Sequence, residues 1–573
     1  MDRIRCIDYL KTIAIIGVFL FHAGLIDNGY LGVEVFFVIS GFLFIKGIRK
    51  ELENKSFAPI KFVISKISTF WPMIAIGGML ALIIGYFNML PDDYENLAES
   101  VIASNIFLNN ILQAITTKNY WDVVNIYKPL MHTWYIGVLL QSFVFLAIVL
   151  WIASKISKKD KTRNILIIVS LISFVLYMLP IFSASDKFYY FPFRLFEITV
   201  GSLIAYIPPF SFKGKINKLI GYIGIGIMLF AMFSNIYIPK ALILIIVVAA
   251  TALILYTHGN SREDYGINDK VYAIVTLPGR YSYDFYMWHQ IIIAFLYYSF
   301  FQVLNAYFVF WAIGITILMS MISAFLRKKI SFLRKEWRRI ILSFCIVTFA
   351  SILSMMIYLH AGVVRDVPEL GIDFNNVHRH MHSEYVDIPY SWDNDFTDMD
   401  KIHVLVLGDS FGRDFANILN ESDYSDKIEI SYIYGNNVSS EMDRVEKADF
   451  VFYGTSGSIS ETLSNIPKEK LYIVGKKGFG NSNGIIYFNR NKSWYFTQKV
   501  TLPDEMIMNN NILKGIYGDH YIDMLSPLLD GNEIRVFTDN NYYISQDCRH
   551  LTQQGAQYYS RILNLDPIFN QDK

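Results

Sequence analysis

Cysteine is scarce in this chain: Cys6, Cys345 and Cys548 are the only three among 573 residues. They stand far apart and in segments of different character. Neither a disulfide framework nor a thiolate zinc site is suggested, and isolated structural thiols are the expectation. Basic excess is missing too. A formal net charge of +1 leaves nothing to neutralise a phosphate backbone, which argues against a nucleic-acid partner. No cleavable signal is expected, because the first apolar segment runs straight on from Arg3 and Arg5 without a convincing small-residue cleavage site. What the chain has in abundance is apolar bulk. With 53% hydrophobic residues and a mean hydropathy of +0.33, it is too apolar for one soluble enzyme and too long for one domain.

Apolar segments of bilayer length, about 20 residues each, recur near 9–27, 31–48, 69–90, 133–153, 164–183, 190–208, 219–236, 240–257, 281–301, 305–326 and 340–360. That makes eleven candidate spans. With the amino terminus inside, the inner segments carry 26 lysines and arginines, grouped at Arg3 and Arg5 and in 46–66, 155–163, 213–218, 262–280 and 327–339. The outer loops before residue 361 carry four: Lys118, Lys128, Lys187 and Lys240. The positive-inside rule sets the amino terminus in the cytoplasm, and an odd number of spans places everything after His360 outside.

Beyond about residue 365 the character changes to Asn, Asp, Ser and Tyr, with short β-type runs at 402–407, 428–434, 449–453 and 471–474. Helical or loop segments separate them, as in a layered α/β sheet. The stretch 361–400 reads as a linker or wrap; its His378-Arg379-His380-Met381-His382 run lacks a second ligand cluster and is expected to be solvated, not metal-binding. The predicted organisation is a multi-pass α-helical membrane domain over 1–335, with about ten spans. A linking helix and linker follow over 336–400, then an α/β extracytoplasmic domain over 401–573.

Chemistry concentrates in the last domain. Gly408-Asp409-Ser410 follows the apolar run 402–407 and precedes a plausible helix, and Asp547 and His550 lie three residues apart near the end. These supply a nucleophile, an orienting acid and a base, with the serine at the carboxyl edge of a sheet near a helix amino terminus. In the membrane part, Lys11 and His22 are eleven residues apart on the first span, about 16 Å along one helix face. Ionisable groups inside a span are costly and usually mark a pathway; snorkelling of Lys11 and capping by His22 are the structural alternative. Arg194 and Glu197 are spaced to share a helix face, as an ion pair or a substrate contact, and His132 and His289 could equally bond neighbouring helices.

Several motifs together resemble the membrane acyltransferase family 3, which O-acylates cell-surface glycans. They are Ile7 to Lys11, His22, Gly29 to Phe42 with Glu34, His132-Thr133-Trp134 with Gln141, Phe193 to Glu197 with Gly201, and Tyr281 to Tyr283 with Tyr286, Trp288 and His289. Lys11 stands where that family usually carries arginine, and the basic motif after the second span is reduced to Ser65-Lys66. The resemblance implies acetyl-CoA as acyl donor, with Lys11 and Lys66 near its phosphates and His22 as base or relay, and no metal. It further implies substrate contacts at Glu34, Arg194, Glu197, His132 and His289.

The set Gly-Asp-Ser with Asp547-x-x-His550-Leu-Thr-x-x-Gly-Ala556 resembles the SGNH esterase and acyltransferase family. That resemblance implies an SGNH-hydrolase-like fold, with Ser410, Asp547 and His550 catalytic and Gly435 as one oxyanion donor. The block Tyr453-Gly454-Thr455-Ser456 lacks the family's asparagine donor. Together the resemblances imply an O-acetyltransferase of a bacterial inner membrane acting on a cell-surface polysaccharide of O-antigen or lipopolysaccharide type. Peptidoglycan is an alternative acceptor; an O-acetyl esterase or a non-catalytic glycan transporter are alternative classes. The expected partners are the lipid bilayer and the acceptor glycan, with oligomerisation left open.

Overall fold

The computed structural model describes residues 4–570 except 117–124, 157–159, 209–213, 235, 260–268, 302, 332–335, 436–440 and 460. Lys118, Arg3 and parts of the basic segments 155–163, 213–218, 262–280 and 327–339 lie outside the described residues. The chain divides into two compact units, residues 1–84 with 97–355, and residues 85–96 with 356–573.

In the first unit each of the eleven apolar segments holds a helix. These are α1 (Arg5–His22), α2 (Gly32–Glu53), α3 (Pro59–Asn88), α4 (Trp134–Ile156), α5 (Thr162–Met178), α6 (Phe191–Tyr206), α7 (Gly214–Phe233), α8 (Lys240–His258), α9 (Ser282–Ser299), α10 (Ala306–Ser331) and α11 (Glu336–Leu359). Six helices, those of α2, α3, α4, α8, α10 and α11, are long and apolar enough to cross a membrane by length and composition. α5 and α7 are apolar but shorter. The three that fall short, α1, α6 and α9, contain Lys11 and His22, Arg194 and Glu197, and Asp284 and His289. Polar groups gathered on the buried faces of these helices lower their hydropathy, and Arg194, Glu197, Asp284 and His289 are almost fully buried. The outer faces of α10 and α11 are exposed Phe310, Met321, Phe325, Phe349 and Met356, a composition suited to hydrocarbon and not to water. α2 and α6 approach closely at Gly41 and Gly201: a Cβ on either would fall within 2 Å of a carbonyl oxygen on the other helix, Ile198 O at 1.8 Å and Val38 O at 1.9 Å. Small residues at such a crossing let backbones touch where dispersion is the main attraction.

The second unit centres on a five-stranded parallel sheet with strands β1 (Ile402–Gly408), β2 (Ile428–Tyr434), β3 (Phe450–Gly454), β4 (Leu471–Val474) and β5 (Tyr521–Ile522) in the order β2-β1-β3-β4-β5. Val404, Leu405, Val406 and Leu407 are all buried, because helices cover both faces of a parallel sheet and an unbroken apolar run suits it better than alternation. A small antiparallel sheet of Lys499–Thr501, Glu533–Arg535 and Leu529–Asp530 lies apart from it. β1 leads into α12 (Ser410–Asn420); α13 (Asp504–Tyr517) and α14 (Gln553–Ile562) follow later in the chain. Successive connections from β1 go to opposite sides, to β2 and then to β3. The carboxyl end of β1 is therefore the switch point where open α/β sheets bind ligands.

The segment 361–400, expected as a linker or wrap, is folded into this unit. Val363, Val367, Leu370 and Val386 are buried, Tyr543 N–H donates to Glu369 O at 2.7 Å, and Asp387 pairs with Arg413 at 2.7 Å. Its polar composition hid four spaced apolar anchors. His378 bonds Glu384 at 2.6 Å and His382 bonds Ala361 O at 2.7 Å; no metal-binding group of side chains occurs among the described residues.

Candidate active sites

In the second unit, β1 ends at Gly408 with φ +132°, and a Cβ there would lie 1.9 Å from the Gly454 carbonyl oxygen. Glycine is required by both strain and space. The chain turns sharply there and α12 begins at Ser410, its amino-terminal amides lacking intrahelical acceptors. Asp409 caps the helix by accepting from Phe411 N–H at 2.9 Å. Its other oxygen takes Ser456 N–H at 2.8 Å, Ser456 Oγ at 2.7 Å and Thr455 Oγ1 at 3.1 Å. Thr455 and Ser456, in the block that lacks asparagine, thus brace the nucleophile turn. Gly435 N–H donates to Gly408 O at 2.8 Å, so in this arrangement it closes the turn and does not point an idle donor at an oxyanion.

Two residues, 137 and 140 positions further along the chain, line up with Ser410. His550 Nε2 lies 2.9 Å from Ser410 Oγ, and His550 Nδ1 lies 2.5 Å from Asp547 Oδ2. With Nδ1 protonated toward the carboxylate, Nε2 is left to accept the serine proton. Asp547 Oδ1 also takes the backbone N–H groups of His550 and Arg549 at 2.7 and 2.9 Å. The turn between acid and base passes through Cys548 at φ +67°. Burial pushes the Asp547 carboxyl up, but the His550 ring and these two amides outweigh it and hold it well below the usual carboxylate range. Ser410 and His550 are 2% and 4% exposed, so a reacting ester there is largely shielded from bulk water. Asp92, from the 85–96 segment of this same unit, is pushed up to about 6 by burial and by the charge of Asp547, against the opposing pull of His550.

The first unit brings together two sets of expected site residues. His22 on α1, His289 on α9 and His132, just ahead of α4, form one cluster. Ring centroids are 5.1 Å apart for His22 and His289 and 5.4 Å for His132 and His289. Tyr286 Oη donates to the His132 carbonyl oxygen, and His289 Nδ1 bonds Tyr286 O at 2.6 Å. That fixes the His289 ring through Nδ1 and leaves its buried Nε2 without a hydrogen-bond partner among the described residues. Glu34, Arg194 and Glu197 form the other set. Arg194 contacts Glu34 Oε2 through Nη2 and lies 3.2 Å from Glu197 Oε1 through Nε; all three side chains are 0–2% exposed. Two carboxyls share one guanidinium, which also faces the rings of Phe37 and Phe188 at 5.5 and 5.6 Å. Lys11 lies mid-way along α1, and Lys66 on α3 stands over Phe62 and Phe143 at 5.2 and 5.7 Å.

The family model described as an acyltransferase domain, Acyl_transf_3, matches residues 4–326. The chain belongs to the Acyl_transf_3 family. Membership and the six apolar helices make it a multi-pass membrane protein. Among relatives, the SACOL0978 protein of Staphylococcus aureus strain COL, named as an inferred O-acetyltransferase, is 26% identical over 319 residues, 52% of each chain. O-acetyltransferase OatA of Staphylococcus aureus strain NCTC 8325 is 26% identical over 314 residues, 51% of this chain and 50% of the relative. The chain therefore spans about half the length of these relatives. No solved structure matches it.

The signals for Thr455 and Ser456 as supports of Asp409 were present only as a departure from the expected asparagine. Tyr286 was visible as part of a motif, without its link to His132.

Proposed function

We propose that this Acyl_transf_3 protein is an O-acetyltransferase that moves an acetyl group from cytoplasmic acetyl-CoA to a hydroxyl of a cell-envelope polysaccharide, with Ser410 as the acyl carrier outside. The observation that carries this reading is the continuous hydrogen-bond line Asp547–His550–Ser410 at 2.5 and 2.9 Å, in a chain whose other unit belongs to an acyltransferase family. The second unit is read as an SGNH-like domain because a Gly-Asp-Ser turn at the end of β1 and an Asp-x-x-His turn before α14 meet over a parallel sheet. The protein sits in a bacterial cytoplasmic membrane with its amino terminus inside and the 401–573 domain outside.

The compartments set the logic. Acetyl-CoA is a polyanion confined to the cytoplasm, and the acceptor glycan is outside. Lys11 and Lys66 face the donor's phosphates as point charges. His22, beside His289 and His132, serves as base or relay, and Glu34, Arg194 and Glu197 orient the substrate. Outside, Ser410 Oγ bonds to the acyl carbon as its proton passes to His550 Nε2. CoA has left as its thiol on the cytoplasmic side when the acyl passes to the membrane-side relay, and it is that relay group, relieved of the acyl, that departs with the Ser410 proton. A sugar hydroxyl then gives its proton to His550 and its oxygen to the acyl carbon, and Ser410 is released protonated. O-antigen-type polysaccharide is the first acceptor, with peptidoglycan the competing one.

Expression of Ser410→Ala and His22→Ala separately, with O-acetyl groups on extracted envelope glycans measured by NMR, tests the scheme. Both variants are expected to lose O-acetylation. Normal acetylation by either one breaks the two-site scheme, and the same spectra identify the acceptor sugar.

A further inference from the structure

Behind the triad lies a second group of charges that the acyl-transfer chemistry does not use. Asp414 sits one helical turn after Ser410 on α12, so the two side chains share a face. Its carboxylate is 1% exposed, and Oδ2 takes the Leu551 backbone N–H at 3.0 Å. The same oxygen meets Lys477 Nζ at 2.8 Å, and Arg413 Nη2 lies 3.5 Å from Oδ1. The Lys477 side chain, also 1% exposed, reaches over the ring of Phe411 at 4.0 Å, the residue immediately after the nucleophile. Arg413 is in turn held by Asp387 at 2.7 Å.

Leu551 is the residue that follows His550. A carboxylate on the nucleophile's own helix therefore grips the backbone of the base's loop, one peptide away from the imidazole. The loop needs such a grip, because its turn passes through Cys548 at positive φ and the hydrogen bonds of Asp547 run to that same turn and Ser545. Internal bonds shape the turn but do not fix its distance from α12. Contacts that reach it from neighbouring segments include Asp414 to Leu551, Phe479 N–H to Cys548 O at 3.0 Å, and Asn483 Nδ2 to the Ser545 and Gln546 carbonyl oxygens at 2.8 and 2.7 Å; the Asp414 bond comes from α12 itself. Phe479 lies two residues from Lys477, so the chain after β4 holds both the loop and the carboxylate that clamps it.

We infer that Asp414 is a positioning residue that sets the Ser410–His550 distance by accepting the Leu551 amide, with Lys477 holding its carboxylate aimed. The inference rests on the reading of Ser410 as nucleophile. Lys477 matters indirectly: a buried carboxylate that loses its ion-pair partner is no longer held in place and turns away. Misplacement of a reacting pair by about 1 Å costs on the order of 100-fold in rate, so loss of the clamp acts on turnover and not on substrate affinity.

The test separates the clamp from the ion pair. In the full-length protein in detergent, hydrolysis of p-nitrophenyl acetate and thermal melting are followed for two double variants and for Ser410→Ala. Asp414→Asn with Lys477→Met removes both charges but keeps an oxygen for the Leu551 N–H; kcat is expected within about threefold of native. Asp414→Leu with Lys477→Met has the same charge balance without the acceptor; kcat is expected to fall about 10- to 100-fold at unchanged KM, with a melting temperature close to that of the first pair. Native kcat in the leucine pair, beside an inert Ser410→Ala, overturns the inference alone. Native hydrolysis by Ser410→Ala overturns the nucleophile reading and the inference with it. Should the leucine pair not melt cooperatively, hydrogen exchange on the native chain decides: the Leu551 amide is expected to exchange as slowly as amides within α12, and exchange at the rate of an exposed amide overturns the inference.

Discussion

Replacing Asp547 by asparagine changes one atom in the triad and isolates what the carboxylate does. Asp547 Oδ1 receives the His550 and Arg549 amides at 2.7 and 2.9 Å, and Oδ2 receives the His550 ring at 2.5 Å. An asparagine keeps its carbonyl oxygen toward the two amides, since turning the amide around would face N–H against N–H. Its NH2 is then directed at His550 Nδ1, which must become an acceptor, so the ring proton moves to Nε2 and faces Ser410 Oγ. In that tautomer the ring cannot take the serine proton. The expected loss is about 10⁴-fold in kcat, or about 5 kcal/mol of transition-state stabilisation, with near-native folding at neutral pH. The assay is p-nitrophenyl acetate hydrolysis by the full-length protein, with circular dichroism on the same sample. Activity within tenfold of native, in a protein whose Ser410→Ala variant is inert, would refute the argument that Asp547 acts through the His550 tautomer. A pH consequence follows. Because the folded Asp547 carboxyl is held low, its contribution to stability is present above the ordinary aspartate range near 3.9 and is lost as pH falls below it. Asp547→Asn therefore flattens the acid end of the stability profile.

Two further outcomes come from the same unit. Gly408→Ala forces a side chain into φ +132° and against the Gly454 oxygen at 1.9 Å, so a loss of more than about 3 kcal/mol is expected, read as a collapsed melting transition; an unchanged melting temperature would contradict the turn geometry. Asp92, pushed up to about 6 chiefly by burial, has the opposite sign to Asp547: stability it supports is full below the ordinary aspartate range and drains away as pH rises through about 6. Melting temperatures of the native protein should fall more steeply from pH 5 to 7 than those of Asp92→Asn, and parallel curves would show that Asp92 is not buried beside the triad.

The degree to which the site was legible differs between its parts for physical reasons. The strand run 402–407 was readable because a central parallel strand buried on both faces demands an unbroken apolar run, and 428–434 because its β-branched and aromatic residues alternate with Glu429 and Ser431 as suits the half-buried edge strand it forms. β5 at Tyr521–Ile522 was not, since two residues carry no period. The reading of 361–400 left linker and wrap both open because anchors such as Val367 and Val386 are spaced singly among polar residues, and only a folded partner surface makes them core. Lys477 and Asp414 gave no signal at all; buried ion pairs join residues distant in sequence, and neither carries a motif.

Sequence alone marked eleven apolar segments of bilayer length and with them the expectation of a multi-pass membrane protein, and it nominated Ser410, Asp547 and His550 by type and order. It also marked His22, His132 and His289 as costly residues in apolar surroundings. Tertiary structure decided which of these meet. Hydrogen bonds act over about 3 Å, and a separation of 140 residues between Ser410 and His550 says nothing about distance until β1, α12 and the Cys548 turn are folded. The structure also decided that Gly435 closes the nucleophile turn, that Thr455 and Ser456 hold Asp409, and that three histidines from separate helices form one cluster. Each depends on backbone placement, which the order of residue types does not encode.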